Sequence, residues 1–259
     1  MSRLRDCLAA LGFTIYVLAL LAISVPPAWA VLVLLPRGRP SDMWSKRWAR
    51  WLIGASGCAL NVSGVDCVPQ DRPVVFVSNH TSYLDSIVLM AALPCPYLFV
   101  VAHAYAGWPI VGTAIRKAQY ITVDRRSAMT RAGSFTVIEA ALRKGSSVLI
   151  YPEGRRGHGP LLEPFRAGAF RAAAATGRSV VPISVRGTRV IMRRGVRLLR
   201  RGSVDVTIHQ PIAPTSSDRR EIVRLRDAVR SEIERDLGEL RSGNHALQTP
   251  DTFEPLAGP

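Results

Sequence analysis

Hydrophobic and polar positions divide the chain into two unequal parts. From residue 8 to residue 35 an apolar stretch runs without a charged residue, and beyond Gly64 short apolar runs alternate with segments of helical spacing. The continuous run Val74-Val75-Phe76-Val77-Ser78 predicts a strand buried on both faces. Residues 84–92 read as a helix, 97–102 as a strand, 110–117 as a short helix and 120–123 as a strand. A helix over 127–143 ends at Lys144-Gly145, and a buried strand follows over 147–151. Residues 166–175 are helical up to Gly177, strands follow at 180–185 and 204–208, and a long charged helix covers 218–240. This alternation predicts an α/β domain, a mixed sheet flanked by helices, over 61–241. Residues 1–60 form a separate N-terminal membrane-anchoring segment, and the Pro- and Gly-containing tail 242–259 is expected to be disordered.

The apolar stretch is longer than the ~30 Å hydrocarbon core of a bilayer requires of a helix. Pro26 and Pro27 interrupt it, so two architectures fit: one tilted, kinked span, or a short helical hairpin within one leaflet. Basic residues flank both sides, more of them downstream, so the positive-inside bias does not choose strongly, and placing both flanks on the cytoplasmic side would favour the hairpin. A cleavable signal peptide ending at Ala28-Trp29-Ala30 would leave Val31 to Leu35 exposed, which argues against it. Residues 43–60 have the spacing of an amphipathic helix lying on a membrane surface. Trp29, Trp44, Trp48 and Trp51 suit either an interfacial belt or ordinary core packing.

Length and charge narrow the partners. A chain of 259 residues accommodates one sizeable domain and an appendage. Its formal net charge of +15 comes mostly from arginine, the lysines being Lys46, Lys117 and Lys144. Such an excess calls for a polyanionic partner or reflects a compositional bias toward arginine. Between 186 and 201 seven arginines alternate with apolar residues, a mixture suited to an anionic membrane surface, at ~1 kcal/mol per arginine, or to a solvated loop. Aromatics for base stacking are missing there, which disfavours nucleic acid. Cys7, Cys58, Cys67 and Cys95 form neither a CxxC pair nor a zinc-like spacing, so no metal is expected and a reducing, cytoplasmic setting is.

The candidate chemistry lies directly after the first buried strand. In Asn79-His80-Thr81-Ser82-Tyr83-Leu84-Asp85, the imidazole falls in a turn and the carboxylate in the first turn of the next helix. A carboxylate on one ring nitrogen leaves the other as a general base able to activate a substrate hydroxyl. Ser82 to Asp85 is equally a capping box, so Asp85 serves either catalysis or its helix end. A G-x-S-x-G elbow is missing, which weakens a hydrolase reading.

The Asn79-His80-(four residues)-Asp85 block resembles the first motif of the glycerolipid acyltransferases. Three further blocks follow in that family's order: Tyr120 to Arg125, Tyr151-Pro152-Glu153-Gly154-Arg155-Arg156, and Val181-Pro182-Ile183. Phe165-Arg166-Ala167-Gly168 also fits the stretch after the third motif. The resemblance implies His80 as base, Asp85 as its orienting partner, Arg125 as the holder of the acceptor's phosphate, and Glu153, Gly154 and Arg156 as the shapers of the acceptor pocket. It implies an acyl-CoA or acyl-carrier protein donor, a lysophospholipid acceptor and a location on the cytoplasmic face of the cell membrane. A thioester donor has a good leaving group, so no cofactor is expected. Arginine suits phosphate through its bidentate fork. Arg155, Gly157, Gln119 and Tyr120 depart from the family's usual residues, which bears on the acceptor more than on the reaction.

Overall fold

The computed structural model describes residues 2–124, 128–157, 161–193, 195 and 198–243. Helices α1 (Ser2–Leu34) and α2 (Arg39–Ser56) precede strand β1 (Ala59–Ser63). There follow β2 (Val75–Ser78), α3 (Leu84–Ala92), β3 (Leu98–Ala102), α4 (Pro109–Lys117), β4 (Ile121–Val123), α5 (Ala128–Arg143) and β5 (Val148–Ile150). The chain continues through α6 (Gly168–Thr176), β6 (Val180–Arg186), the single turn α7 (Thr188–Ile191), β7 (Ser203–Ile208) and α8 (Arg219–Gly243).

The seven strands form one sheet in the order β1-β7-β6-β2-β5-β3-β4. Among the described strands only β6 and β7 pair antiparallel, so the sheet is mixed, as expected. Helices α5, α6 and α8 cover one face, where Leu142, Phe170, Leu225 and Val229 meet Val75 and Val77. On the other face Phe76, Leu149 and Ile183 pack with Leu89 of α3. Each of these side chains is fully buried and contributes roughly 2 kcal/mol. The central strands read as unbroken apolar runs because both faces are covered.

Most elements begin and end within two residues of the positions anticipated from spacing. One difference is strand β1, which starts at Ala59, inside the segment read as an amphipathic helix; α2 instead ends at Ser56, where Gly57 adopts the left-handed conformation that caps it. The sheet therefore begins two residues before the anticipated boundary at 61. The anticipated tail from 242 overlaps the end of α8, and residues 244–259 lie outside the described residues.

Helix α1 continues through Pro26 and Pro27, which keep a helical φ and forfeit two ladder bonds. A hairpin folded at the prolines is thus not formed. At 33 residues, about 50 Å, α1 is long and apolar enough to cross a membrane. It runs antiparallel to α2: the Tyr16 hydroxyl donates to Ala55 O at 2.5 Å and Trp44 Nε1 donates to Ala28 O at 3.0 Å. Thr14 Oγ1 accepts the Leu199 N–H at 2.8 Å, which braces α1 against the body as well.

The inner face of α2 is not purely apolar. Asp42 and Lys46 are buried and paired at 3.2 Å, Lys46 Nζ donates to Cys95 O at 2.6 Å, and its ammonium sits 4.5 Å from the Tyr97 ring centroid. Burial lowers the Lys46 ammonium below its usual range, against the pull of Asp42. Arg50 Nε adds a bond to Ala91 O at 2.8 Å. These bonds fasten α2 to the α/β body, while Met43 and Trp51 face outward.

Candidate active site

Parallel strands β2, β5 and β6 bring their carboxyl ends to the same sheet edge, where open α/β sheets place their sites. Asn79 ties two of these ends together. Its side chain donates to Val185 O and accepts the Val185 N–H, both at 2.8 Å, which extends the β2–β6 ladder by one rung. The turn carrying His80 consequently leaves a fixed platform.

Asp85 lies in the first turn of α3 and is fully buried. Its Oδ2 is 3.0 Å from His80 Nδ1 and accepts the N–H groups of Thr81 at 2.7 Å and Ser82 at 2.8 Å. Its Oδ1 accepts the Thr188 hydroxyl at 2.5 Å. Ser82 Oγ accepts the Leu84 N–H at 3.3 Å, while the Asp85 N–H donates to Ser82 O at 3.3 Å, so only the carboxylate half of a capping box, Asp85 accepting the Ser82 N–H, is formed. The two readings of Asp85 describe one arrangement: the bonds that start the helix also aim the carboxylate at the ring. A carboxylate can only accept, so Nδ1 carries the proton and Nε2 presents its lone pair.

The Tyr151 ring stacks on the His80 imidazole, with centroids 4.0 Å apart and planes 10° apart. Burial, reinforced by the Asp85 charge, pushes the Tyr151 phenol well above its usual range and keeps it neutral. The turn after β5 then grips the His80 backbone. Glu153 Oε1 accepts the His80 N–H at 2.6 Å, and Gly157 N–H donates to His80 O at 2.8 Å. Glu153 Oε2 accepts the Glu163 N–H at 3.2 Å. Both carboxylate oxygens thus hold main-chain N–H groups. At 3% exposure, burial raises the Glu153 carboxyl to about 7, against those two hydrogen bonds. Gly154 has φ +75°, and a Cβ there would lie 2.6 Å from Arg166 Nε, so this turn requires glycine. The Arg166 N–H donates to Pro152 O at 2.9 Å, which explains why α6 starts two residues later than its spacing suggests.

The arginines differ in placement. The Arg156 guanidinium stands 3.4 Å over the Tyr83 ring, beside the His80 turn. Arg155 is solvent-exposed and pairs with Glu163 at 3.1 Å. Arg125 lies outside the described residues; β4 ends two residues before it, at Val123. In the basic stretch, Arg186 is drawn off to Asp236 at 3.1 Å, and Arg194 and Arg197 lie outside the described residues. Next to Tyr151 an apolar cleft of about 100 Å³ opens between Val100, Val123, Phe135, Ile138 and Ile150.

Sequence spacing brought out His80, Asp85 and the turn at Glu153, but not the ring stack, Thr188 or the rung made by Asn79. Thr188 follows β6 by two residues, and only the convergence of strand ends could have singled it out. Ser184, His209 and Glu232 form a second relay, with Ser184 Oγ 2.8 Å from His209 Nε2 and His209 Nδ1 3.3 Å from Glu232. Ser184 is fully buried, so this relay clamps α8 onto the sheet and offers no accessible nucleophile.

The acyltransferase family model matches residues 59–186, which include all the site residues described above except Thr188. The chain is 34% identical over 222 residues to a chloroplastic 1-acyl-sn-glycerol-3-phosphate acyltransferase of Brassica napus, covering 84% of this chain and 63% of that protein. An Arabidopsis thaliana protein of the same description is 35% identical over 61% of this chain and 45% of its own length. The chain thus spans about half to two thirds of these two relatives. It is 30% identical to the lyso-ornithine lipid O-acyltransferase of Pseudomonas aeruginosa, covering 78% of this chain and 84% of that protein. The crystal structure of the 1-acyl-sn-glycerophosphate acyltransferase PlsC from Thermotoga maritima shares the fold, with a TM-score of 0.75 at 21% identity over 93% of this chain and 98% of that one.

Proposed function

The chain belongs to the acyltransferase family, and we propose that it moves a fatty acyl group from acyl-CoA or acyl-carrier protein to the free hydroxyl of 1-acylglycerol-3-phosphate, giving phosphatidic acid. The observation that carries this reading is the His80–Asp85 pair, whose buried carboxylate leaves Nε2 as the free basic nitrogen. Nε2 takes the proton of the acceptor hydroxyl as its oxygen attacks the thioester carbonyl. Collapse of the tetrahedral adduct forms the ester and breaks the C–S bond, and the departing thiolate takes the proton from the imidazolium. Asp85 stabilises that imidazolium, while Glu153 and Gly157 hold the His80 main chain in place. We assign Arg125, Gly154 and Arg156 to the acceptor's head group, and the apolar cleft beside Tyr151 to an acyl chain.

We place the enzyme at the cell membrane with its α/β body on the cytoplasmic face. The exposed face of α1 supports the association with a membrane, since Leu4, Leu8, Ile15, Leu18 and Ile23 are exposed. Arg189, Arg193, Arg200 and Arg201 suit an anionic leaflet.

A second acceptor is favoured by one observation: a relative 30% identical to this chain, 84% of whose length is covered, is described as a lyso-ornithine lipid O-acyltransferase. The chemistry at the hydroxyl is the same. Membranes carrying the wild type or His80→Ala, incubated with acyl-CoA and with either lysophosphatidic acid or lyso-ornithine lipid, test both points. Wild-type product and its loss in His80→Ala are expected; equal product from the two proteins would overturn the mechanism. The acceptor consumed faster identifies the substrate.

A further inference from the structure

A depression of about 340 Å³ is lined by Arg37, Arg116, Gln119, Tyr120 and Thr122 among others. Its volume is roughly ten times the share of one water in the liquid, enough for a phosphate head group. We propose that it binds the phosphate head group of an anionic bilayer phospholipid.

The site is built where α4 is stapled to the turn between α1 and α2. The Gly38 N–H donates to Lys117 O at 2.7 Å, and Lys117 Nζ donates to Leu35 O. Gln119 has φ +59°, the left-handed region in which a side chain other than glycine's is strained. That backbone directs its side chain to the same turn: a Cβ on Gly38 would sit 3.3 Å from Gln119 Oε1. Arg116 is oriented by bonds to Ala106 O at 3.0 Å and Thr113 Oγ1 at 3.3 Å, which leave part of its fork for a ligand. The neighbouring acid, Asp42, is already engaged by Lys46 and by the Tyr120 hydroxyl, so its charge is offset.

A lipid is indicated over a free anion because of what adjoins the cavity. Val31, Val33 and Leu34 at the end of α1 are exposed and apolar, and Arg37 follows Leu34 by three residues. Acyl chains lying along the free face of α1 would bring the phosphate to the two guanidinium groups, which bind it through charge-assisted hydrogen bonds. The inference rests on α1 being embedded in lipid, not on the acyl-transfer reaction.

The test uses the detergent-solubilised full-length protein and measures binding of dihexanoyl phosphatidylglycerol, dihexanoyl phosphatidylcholine and inorganic phosphate. The anionic lipid is expected to bind tightest. Arg37→Ala combined with Arg116→Ala should weaken it by roughly tenfold or more with an unchanged melting temperature, since both side chains are exposed. Arg156→Ala, which alters the head-group pocket assigned beside His80, should leave it unchanged. Gln119→Gly should raise the melting temperature by relieving φ and still weaken binding. Equal affinity for inorganic phosphate, or full binding by the double variant, overturns the site, and full binding by Gln119→Gly removes Gln119 from it. Loss of lipid binding in Arg156→Ala alone would place the lipid in the catalytic pocket instead. Retained acyl transfer in His80→Ala would undermine the proposed reaction but leave this binding result standing.

Discussion

The aromatic ring of Tyr151 lies flat against the imidazole of His80, with 4.0 Å between centroids and 10° between planes. Tyr151 comes from the end of β5 and His80 from the turn after β2, so the pairing of these two strands sets the ring against the base. Asp85 fixes one nitrogen of the imidazole and Tyr151 restricts the tilt of its plane. The phenol oxygen is 3.4 Å from Ser86 Oγ, a weak contact. Tyr151→Phe should therefore stay near wild-type activity, whereas Tyr151→Ala should lower kcat about tenfold with a small change in KM, as expected for a lost orienting surface. Steady-state kinetics of the two variants separate stacking from the hydroxyl.

Asp85→Asn is expected to lower kcat by about two to four orders of magnitude, because an amide can present its NH₂ to Nδ1 and favour the wrong tautomer. The same change weakens the start of α3, so a modest fall in melting temperature should accompany it. Thr188→Val removes the bond to Oδ1 and leaves the three contacts on Oδ2. Its loss should be smaller, about tenfold in kcat. Initial rates together with thermal melts distinguish orientation from folding.

Glu153 links pH to stability. Burial raises its carboxyl from 4.5 to about 7. Between those values the folded chain retains a proton that the unfolded chain has released, so the contribution of Glu153 to stability falls as pH rises through this window and is level above it. The melting temperature of Glu153→Gln relative to wild type should therefore rise between about pH 4.5 and 7 and then level off. Glutamine can still accept the His80 N–H, but its NH₂ would face the Glu163 N–H, so some activity is lost at every pH. A difference in melting temperature that does not vary across that window would contradict the assignment.

Asn79→Ala should destabilise the fold by about 2 kcal/mol, since it removes two buried hydrogen bonds and orphans the Val185 N–H and C=O. Chemical denaturation measures the loss. Activity should fall too, because the strand end that carries His80 is no longer tied to β6.

Local pattern carried much of the architecture. The runs at Val74–Ser78 and 147–151 are apolar because both faces of the sheet are covered, and that requirement is written into consecutive residues. Strand β1 escaped notice because Ala59-Leu60-Asn61-Val62-Ser63 is short and half exposed, and its partner β7 lies some 140 residues away in the chain. Of the two architectures left open at Pro26 and Pro27, the single continuous helix is the one formed, since proline restricts φ to a value a helix shares.

By itself the sequence determined the strand–helix alternation, the apolar N-terminal segment and the spacing that sets His80 and Asp85 either side of a helix start. Those features depend on residues within one or two turns of each other, and periodicity records them directly. Only the tertiary structure decided what the spacing left open. Asp85 caps α3 and orients His80 at once because Thr188, more than a hundred residues away, closes its other oxygen. Glu153 turned inward to the His80 main chain, Arg155 outward to Glu163, and Tyr151 onto the imidazole. Each of these outcomes depends on strand ends brought together by the parallel pairing of β2, β5 and β6, a long-range arrangement that no local window of the chain contains.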